Sequence, residues 1–434
     1  MYAIRFWLAG VVARVFTVGM FQDVEIEGSP AHDGPRLIVA NHFGGLVDAI
    51  VVVRAIGGLP HIVAKSTLFK RAPLRIVLKV LGVVPVYRQM DHADLSKNQG
   101  SFDEVAKVLA KGRTVLIFPE GTVTDSQELQ HVRTGAARMA TAGIEAGAEN
   151  LAIVPIGITY EDKVSSRSRV LVEVGEIITE DVINADAEDE PVSPANRPLV
   201  HALTDEIRDR LRAVAPDYGS LIRERTMMLA ASTRLRTSMT RPFDEPPLSD
   251  LRDVAQALAH ATSPDVPGDL GATSRYYMSL TASGLEDHQI QPAPTAKALL
   301  RLAVIKAVIL VLIAPFALFG LMFNLIPILL VIAVGAFVKE PVSKGTARVV
   351  TGVVVFPVTW IAVVAISHPD YQWLTFLLLI VGLILLIVGI AQLIDLFEAL
   401  AGWWAVRKHA GLIDGLLVLR SAANDEISAI LGDG

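Results

Sequence analysis

The chain has 434 residues, 52% of them apolar, and a formal net charge of −6. This acidic balance gives no support for nucleic-acid binding, and the absence of cysteine excludes disulfides, thiol nucleophiles and zinc–thiolate sites. The mean hydropathy of +0.47 is too high for an ordinary soluble enzyme, and the length predicts two or three structural units.

Residues 1–21 form an apolar segment that is interrupted by Arg5 and Arg14. These charges, and the lack of a small-residue cleavage site after an unbroken apolar stretch, argue against a signal peptide. The segment is predicted to be a helix. It is either an interfacial helix whose arginines reach lipid headgroups or the buried first helix of the domain that follows.

Residues 22–217 alternate short β-branched runs with segments of helical period. This alternation predicts an α/β domain with a mainly parallel central sheet flanked by helices. Strands are predicted at 37–40, 62–64, 83–87, 115–118, 153–159 and 170–174. Helices are predicted at 73–81, 100–109, 134–146 and 198–214, with an exposed loop at 181–196. Pro155 indicates that its strand lies at an edge or bends.

His42 and Asp48 follow the first of these strands. An imidazole can take a proton from an alcohol near neutral pH, and a carboxylate on its other nitrogen would orient it. On one straight helix the two residues would lie about 240° apart. We therefore predict a turn at Gly44–Gly45 and a helix from about Leu46. The alternative is a loop histidine near an aspartate with no chemical role.

Residues 218–296 are predicted to be a mostly helical connector, and residues 297–406 a transmembrane region. Within it, the uncharged run 307–338 would measure about 48 Å as one helix, well beyond a hydrocarbon core of roughly 30 Å. Two short spans or a re-entrant hairpin are therefore predicted, with breaks at Pro315, Gly320, Asn324 and Pro327.

Two further spans are predicted at 349–366 and 374–394, followed by a cytoplasmic tail at 407–434. The distribution of Lys and Arg puts the first domain, the loop 339–348 and the tail on the cytoplasmic side of the cell membrane, with an even number of crossings.

Four short blocks follow one another in the first half of the chain, at 41–48, 82–88, 117–122 and 153–157. Together they resemble the phospholipid/glycerol acyltransferase family (PlsC-like), which includes the lysophosphatidate and glycerol-3-phosphate acyltransferases. The resemblance covers about residues 24–178. Five residues separate His42 from Asp48 where the family usually has four. This longer spacing resembles that of one branch of the family, and it leaves the identity of the acceptor substrate open. Val123 stands where the family commonly has an arginine.

The resemblance implies transfer of a fatty acyl group from an acyl thioester to a hydroxyl of 1-acylglycerol-3-phosphate. His42 would be the general base, oriented by Asp48, and the acceptor would attack directly, without an acyl-enzyme. Arg88 and Lys65 would hold the acceptor phosphate, with Arg133 as a further candidate because of Val123. Glu120, Gly121 and Thr122 would shape the acceptor site.

Acyl-CoA or acyl-carrier protein would be a co-substrate, and no cofactor or metal is implied. The expected partners are membrane lipids and the acceptor. Glycerol-3-phosphate or another lysophospholipid is the alternative acceptor. Two other classes stay open: a non-catalytic lipid-binding membrane protein and a lipid hydrolase.

Overall fold

The computed structural model describes residues 2–43, 45–70, 75, 78–79, 81–87, 98–122, 129–161, 168–187, 190–215, 218–241, 243–262, 270–293, 295–338 and 341–432. The chain divides into two compact units. The sheet unit comprises Met1–Thr17, Val24–Val164 and Arg169–Asp217. The helical unit comprises Val18–Asp23, Ser165–Ser168 and Tyr218–Gly434.

Strands and helices alternate through the first half of the chain. In chain order they are α1 (Tyr2–Met20), β1 (Val24–Glu27), β2 (Arg36–Ala40), α2 (Leu46–Ile56), β3 (His61–Lys65), a 3-10 helix (Ser66–Lys70), β4 (Val84–Val86), α3 (Asn98–Leu109), β5 (Thr114–Ile117), α4 (Gly135–Glu145), β6 (Ala152–Tyr160), β7 (Val170–Val174), β8 (Ile178–Thr179), α5 (Glu180–Asp186) and α6 (Arg197–Val214).

The strands form one eight-stranded sheet in the order β1-β7-β6-β2-β5-β3-β4, with β8 beside β6. β6 is antiparallel to β7 and β8, and the other pairings among the described strands are parallel. Residues 37–40 of β2 are all fully buried, as expected for a parallel strand that is covered on both faces. The predicted fold class, a mainly parallel sheet flanked by helices, is confirmed.

Pro155 lies in an interior strand, because β6 has β2 on one side and β7 and β8 on the other. The predicted edge position is therefore wrong. β8 pairs with β6 up to Ile153 and β7 pairs with it from Ile156 onward, so Pro155 lies where the neighbouring strand is interrupted. There its carbonyl accepts from the Gly175 N–H at 2.9 Å. The N–H and C=O of one strand residue point to the same side, so the missing proline N–H would face this interruption and not β2.

Helices α3, α4 and α6 share one apolar cluster with a face of the sheet. Its members include Phe102 of α3, Met139 of α4 and Leu203 of α6, together with Leu37 and Val115 of the strands. This packing fixes the strands relative to one another. The carboxyl ends of the parallel strands β2, β5, β3 and β4 consequently lie along one edge, where the loops that follow them meet.

Some local predictions differ from the structure. The predicted loop 181–196 begins as helix α5, whose first turn contains Glu180 and Asp181 and so suits the helix dipole. Strands β1 and β8 were not predicted. They are short, with four and two residues, and carry little periodic signal. The predicted helix 73–81 lies largely outside the described residues.

The secondary structure in the described parts of the second half of the chain consists of helices. The helices are α7 (Leu221–Arg236), α8 (Leu248–Ala261), α9 (Gly271–Ser283), α10 (Asp287–Ile290), α11 (Ala296–Phe337), α12 (Pro341–Ile366), α13 (Gln372–Lys408) and α14 (Ala410–Leu431), with a 3-10 turn (Pro369–Tyr371) before α13.

Helix α11 is continuous over 42 residues and contains Pro315 and Pro327. The predicted division into two short spans or a re-entrant hairpin at 307–338 is therefore wrong. Apolar surroundings favour continuing the helix, since backbone groups freed by a break would find no water there. Asn324, another predicted break, instead donates its side-chain amide to the Gly320 carbonyl of the same helix at 2.9 Å.

Two helical segments among the described residues are long and apolar enough to cross a membrane, Ala296–Phe337 and Pro369–Lys408. They indicate association with a membrane. The predicted span 374–394 lies inside α13, and the predicted span 349–366 lies inside α12, whose apolar part is the shorter stretch Val350–Ile366. The number of crossings and their orientation stay predictions.

The segments on either side of the apolar helices pack together. Arg420 of α14 donates to Asp287 at 2.9 Å, and Tyr276 of α9 donates to the same carboxylate at 2.7 Å. Glu426 of α14 accepts from the backbone N–H groups of Ala272 and Thr273 at the start of α9. The predicted tail thus contains a helix that is bonded to the predicted connector.

Candidate active site

His42 and Asp48 meet at the carboxyl end of β2. His42 Nδ1 lies 2.8 Å from Asp48 Oδ2, although the residues are six positions apart. The chain turns at Gly45, whose φ is +68°, a conformation that glycine adopts without strain. Helix α2 then begins at Leu46 and carries Asp48 in its first turn. The bond places the ring hydrogen on Nδ1 and leaves Nε2 as the nitrogen that can accept a proton.

Tyr160 contacts the other oxygen of the same carboxylate. Its hydroxyl donates to Asp48 Oδ1 at 2.6 Å. Burial, followed by the charge of Asp48 and its hydrogen bond, raises the pKa of Tyr160 well above its usual value. Sequence reasoning missed this residue, which ends β6 112 positions away from Asp48. Its one signal is its place just beyond the fourth block.

The loop that carries His42 is anchored to two neighbouring strands. The side chain of Asn41 bonds both the N–H and the C=O of Ile158 in β6, at 2.7 and 2.9 Å. The imidazole stacks on the Phe118 ring after β5, with ring centroids 4.0 Å apart and planes 15° from parallel. The side chain of His42 keeps 17% of its surface exposed, so the ring is held in place yet open to a substrate.

Glu120 links the first and third blocks through the backbone. Its side chain is 1% exposed, and its two oxygens accept from the N–H of His42 at 2.7 Å and of Gln130 at 3.0 Å. Burial raises the pKa of Glu120 to about 7, against the lowering effect of these two bonds and with a further rise from the charge of Asp48. The predicted contact with the acceptor stays a prediction. The geometry adds a role in positioning the His42 loop.

Gly121 and Arg133 form the turn beside Glu120. Gly121 has a φ of +66°, which favours glycine. The Nε of Arg133 donates to the Glu120 carbonyl at 3.1 Å and would lie 3.3 Å from a Cβ at position 121. Arg133 is otherwise exposed and Thr122 is half-buried. The guanidinium therefore lies beside Glu120 and Gly121 of the third block.

Lys65 ends β3 and is exposed. The strand order puts β5 between β2 and β3, so Lys65 lies along the same sheet edge as His42, two strands away. Arg88 and Val123 lie outside the described residues. The structure thus brings His42, Asp48 and Glu120 into one bonded cluster, and it gives Lys65 a position on the same edge without a contact to that cluster.

Metal ligands do not gather in the described part of the chain: no group of three or more His, Cys, Asp or Glu side chains there could hold an ion.

Comparison with known proteins assigns the family of this region. A sequence profile described as Acyltransferase matches residues 23–159, the range that contains all four blocks. Residues 23–159 form an acyltransferase-family domain. The PlsC-like family predicted from the blocks is thereby confirmed.

Curated relatives share this region at moderate identity. The chain is 29% identical over 196 residues to an uncharacterized acyltransferase of Schizosaccharomyces pombe, an alignment that covers 44% of this chain and 28% of the relative. It is 28% identical over 229 residues to glycerol-3-phosphate O-acyltransferase 2 of Saccharomyces cerevisiae, covering 50% of this chain and 29% of the relative. The chain therefore spans less than a third of the length of these relatives.

Among solved structures, the chain is similar to the 1-acyl-sn-glycerophosphate (LPA) acyltransferase PlsC from Thermotoga maritima. The TM-score is 0.30 and the identity 19%, over 46% of this chain and 81% of that chain. At this score the likeness carries no weight for the fold or the function.

Proposed function

We propose that the protein is a membrane-bound O-acyltransferase that moves a fatty acyl group from an acyl thioester to a hydroxyl of 1-acylglycerol-3-phosphate. One observation carries the proposal. His42 is bonded to Asp48 at 2.8 Å, beside the buried Glu120, in a domain of the acyltransferase family. A base with a carboxylate orienter is the arrangement that activates an alcohol nucleophile.

In the proposed reaction, His42 Nε2 takes the proton of the acceptor hydroxyl while the oxygen attacks the thioester carbonyl carbon. The C–S bond then breaks, and the leaving thiolate takes the proton from the imidazolium. Asp48 stabilises the imidazolium in between. Direct attack is supported by the chain itself, which contains no cysteine and no Gly-x-Ser-x-Gly turn for a serine nucleophile.

The acceptor phosphate is proposed to bind Lys65, Arg133 and Arg88. The charges of lysine and arginine suit phosphate oxygens, with which they form charge-assisted hydrogen bonds. Arg133 is supported by its bond to the Glu120 carbonyl, which holds a guanidinium next to the turn of the third block. Acyl-CoA or acyl-carrier protein is the proposed donor.

A lipid acceptor is supported by the two long apolar helical segments, since an anchored domain works where lysophospholipids reside. The proposal includes a cytoplasmic orientation of the domain, based on the distribution of Lys and Arg. Glycerol-3-phosphate is the alternative acceptor. It is favoured by the five-residue spacing between His42 and Asp48 and by the name of the Saccharomyces cerevisiae relative.

The test is thiol release from acyl-CoA by the purified chain in nanodiscs. Glycerol-3-phosphate, 1-acylglycerol-3-phosphate and lysophosphatidylcholine are offered in turn, and the acylated product is identified by mass spectrometry. The fastest release is expected with 1-acylglycerol-3-phosphate. A preference for glycerol-3-phosphate would identify that molecule, instead of 1-acylglycerol-3-phosphate, as the acceptor. No transfer with acyl-CoA or acyl-carrier protein would overturn the activity and favour a non-catalytic lipid-binding protein, and fatty acid release without any acceptor would indicate a hydrolase.

A further inference from the structure

Tyr160 is a buried titratable group that the proposed reaction does not use. Its side chain is 3% exposed, and its hydroxyl donates to Asp48 Oδ1 at 2.6 Å. The other oxygen of Asp48 accepts from His42 Nδ1 at 2.8 Å. A single carboxylate therefore connects a buried phenol at the end of β6 to the imidazole at the end of β2.

Toward Asp48 the phenol is a hydrogen-bond donor. Burial and the charge of Asp48 raise its pKa well above the usual value, so the hydroxyl stays protonated at any pH at which the protein works. Hydrogen bonds to an ionised acceptor are short and strong. With one oxygen bonded by Tyr160 and the other by His42, the carboxylate of Asp48 has little freedom to rotate.

Asp48 is completely buried and lies in the first turn of α2, where the helix dipole favours a negative charge. The turn fixes the backbone of Asp48 but not the rotation of its side chain. Because the imidazole must present Nε2 to the acceptor within a small angular tolerance, the group that holds Asp48 also sets the direction of Nε2.

We propose that Tyr160 is a positioning residue for acyl transfer, which holds Asp48 in the rotamer that directs His42 Nε2 toward the acceptor hydroxyl. The inference rests on the proposed function and extends it to a residue outside the four blocks. It assigns Tyr160 no contact with the substrate. Its loss is therefore expected to lower kcat and to leave the KM of both substrates nearly unchanged.

The first experiment compares Tyr160→Phe with Tyr276→Phe in the full-length protein. Tyr276 is a matched control, because it is fully buried and its hydroxyl donates to Asp287 at 2.7 Å, outside the unit that contains His42. Each variant removes one buried phenol-to-aspartate hydrogen bond. We expect Tyr160→Phe to lower kcat roughly tenfold, the effect of one bond to a charged group, and Tyr276→Phe to leave it unchanged.

A double-mutant cycle separates positioning from a general loss of stability. In an Asp48→Asn background the histidine has already lost its carboxylate, so Tyr160→Phe should change kcat by less than about twofold further. A tenfold loss in both backgrounds would overturn the inference. Equal kcat values for Tyr160→Phe and the wild type would also overturn the inference, provided that the His42→Ala variant is inactive.

A readout that needs no turnover is the downfield NMR signal of the hydrogen on His42 Nδ1, observed in histidine-labelled protein. We expect the signal to be sharp in the wild type and in Tyr276→Phe, and to be broadened in Tyr160→Phe. An unchanged signal in Tyr160→Phe would overturn the link even without an activity measurement. A folded wild type with the expected signal but no acyl transfer would overturn the proposed function, and with it the positioning role of Tyr160 in acyl transfer.

Discussion

At the scale of single residues, the side chains of Asp48 and Glu120 lie in different environments next to His42. Asp48 accepts side-chain bonds from His42 and Tyr160. Glu120 accepts backbone N–H bonds from His42 and Gln130, and burial raises its pKa to about 7. Two carboxylates whose surroundings differ in this way generally serve different roles. In the proposed reaction Asp48 orients the base, and the bond from the His42 N–H to Glu120 holds the loop that carries it.

The buried carboxyl of Glu120 makes the stability of the sheet unit dependent on pH. In the folded state the pKa of Glu120 is about 7, whereas the ordinary pKa of a glutamate is 4.5. Between these values the folded state binds the extra proton, so the contribution of Glu120 to stability is fully present below about pH 4.5 and is lost as the pH rises to 7. The loss is about 3 kcal/mol over that window.

Glu120→Gln tests this dependence because its side chain cannot ionise. Hydrogen exchange of the amides in β2 and β5, converted to free energies of opening, should show wild-type stability falling between pH 5 and 7.5 relative to the variant. The variant should be less stable at low pH, since an amide NH2 cannot accept one of the two backbone bonds. Parallel pH curves for the two proteins would contradict the assignment.

At the residue level, the sequence could pair side chains that are close along the chain but not those that meet only through tertiary contacts. His42 and Asp48 could be paired in advance because one turn brings them together. Tyr160 could not, since its relevance rests on a contact across 112 positions. The same holds for the hydrogen bond from the His42 N–H to the Glu120 carboxylate, since these residues are 78 positions apart.

At the scale of elements, the interior strands were predictable because a parallel strand that is buried on both faces consists of apolar, β-branched residues. β2, β5 and β6, which are almost entirely buried, accordingly begin and end within one residue of their predicted bounds. The continuity of α11 was not predictable from its prolines, since the packing of its neighbours decides whether a proline ends a helix. Helices α11 and α13 run antiparallel, with Gly320 against Gly382 and Lys306 bonded to Asp395 at 2.9 Å.

The close approach of α11 and α13 predicts the effect of Gly320→Ala. A Cβ at position 320 would overlap the Gly382 carbonyl oxygen, so the helices must separate at a cost of about 2 kcal/mol. Gly352→Ala is the control, because its Cβ would meet side-chain atoms only at 3.9 Å. We expect unfolding in detergent, followed by circular dichroism, to show destabilisation in Gly320→Ala alone. Equal behaviour of the two variants would contradict the packing.

At the scale of the whole molecule, the helical unit brings both ends of its apolar region together. α14 is bonded to α9 and α10, and the antiparallel packing puts the end of α11 and the start of α13 at the opposite end of the pair. A continuous helix that crosses a bilayer has its ends on opposite sides. If α11 is a single crossing, the first domain and the loop 339–348 lie on opposite sides of the membrane, so the two predicted cytoplasmic locations exclude each other; an even number of crossings stays a prediction.

This arrangement predicts which positions are accessible from each side of a vesicle. The chain has no cysteine, so Ala282→Cys, Ser421→Cys and His368→Cys each introduce a unique, exposed label site. We expect the first two to react with an impermeant maleimide from the same side and the third from the other side. Reaction of all three from one side would mean that α11 and α13 do not cross the membrane.

The central claim is that His42 is the general base for acyl transfer, and its most direct test is the rate of the His42→Ala variant. The measurement is acceptor-dependent thiol release at saturating donor and acceptor, with hydrogen exchange of β2 and β5 to establish that the sheet is intact. We expect a loss of at least about 10² in kcat, the usual contribution of a general base. A folded His42→Ala protein that turns over at close to the wild-type rate would contradict the account.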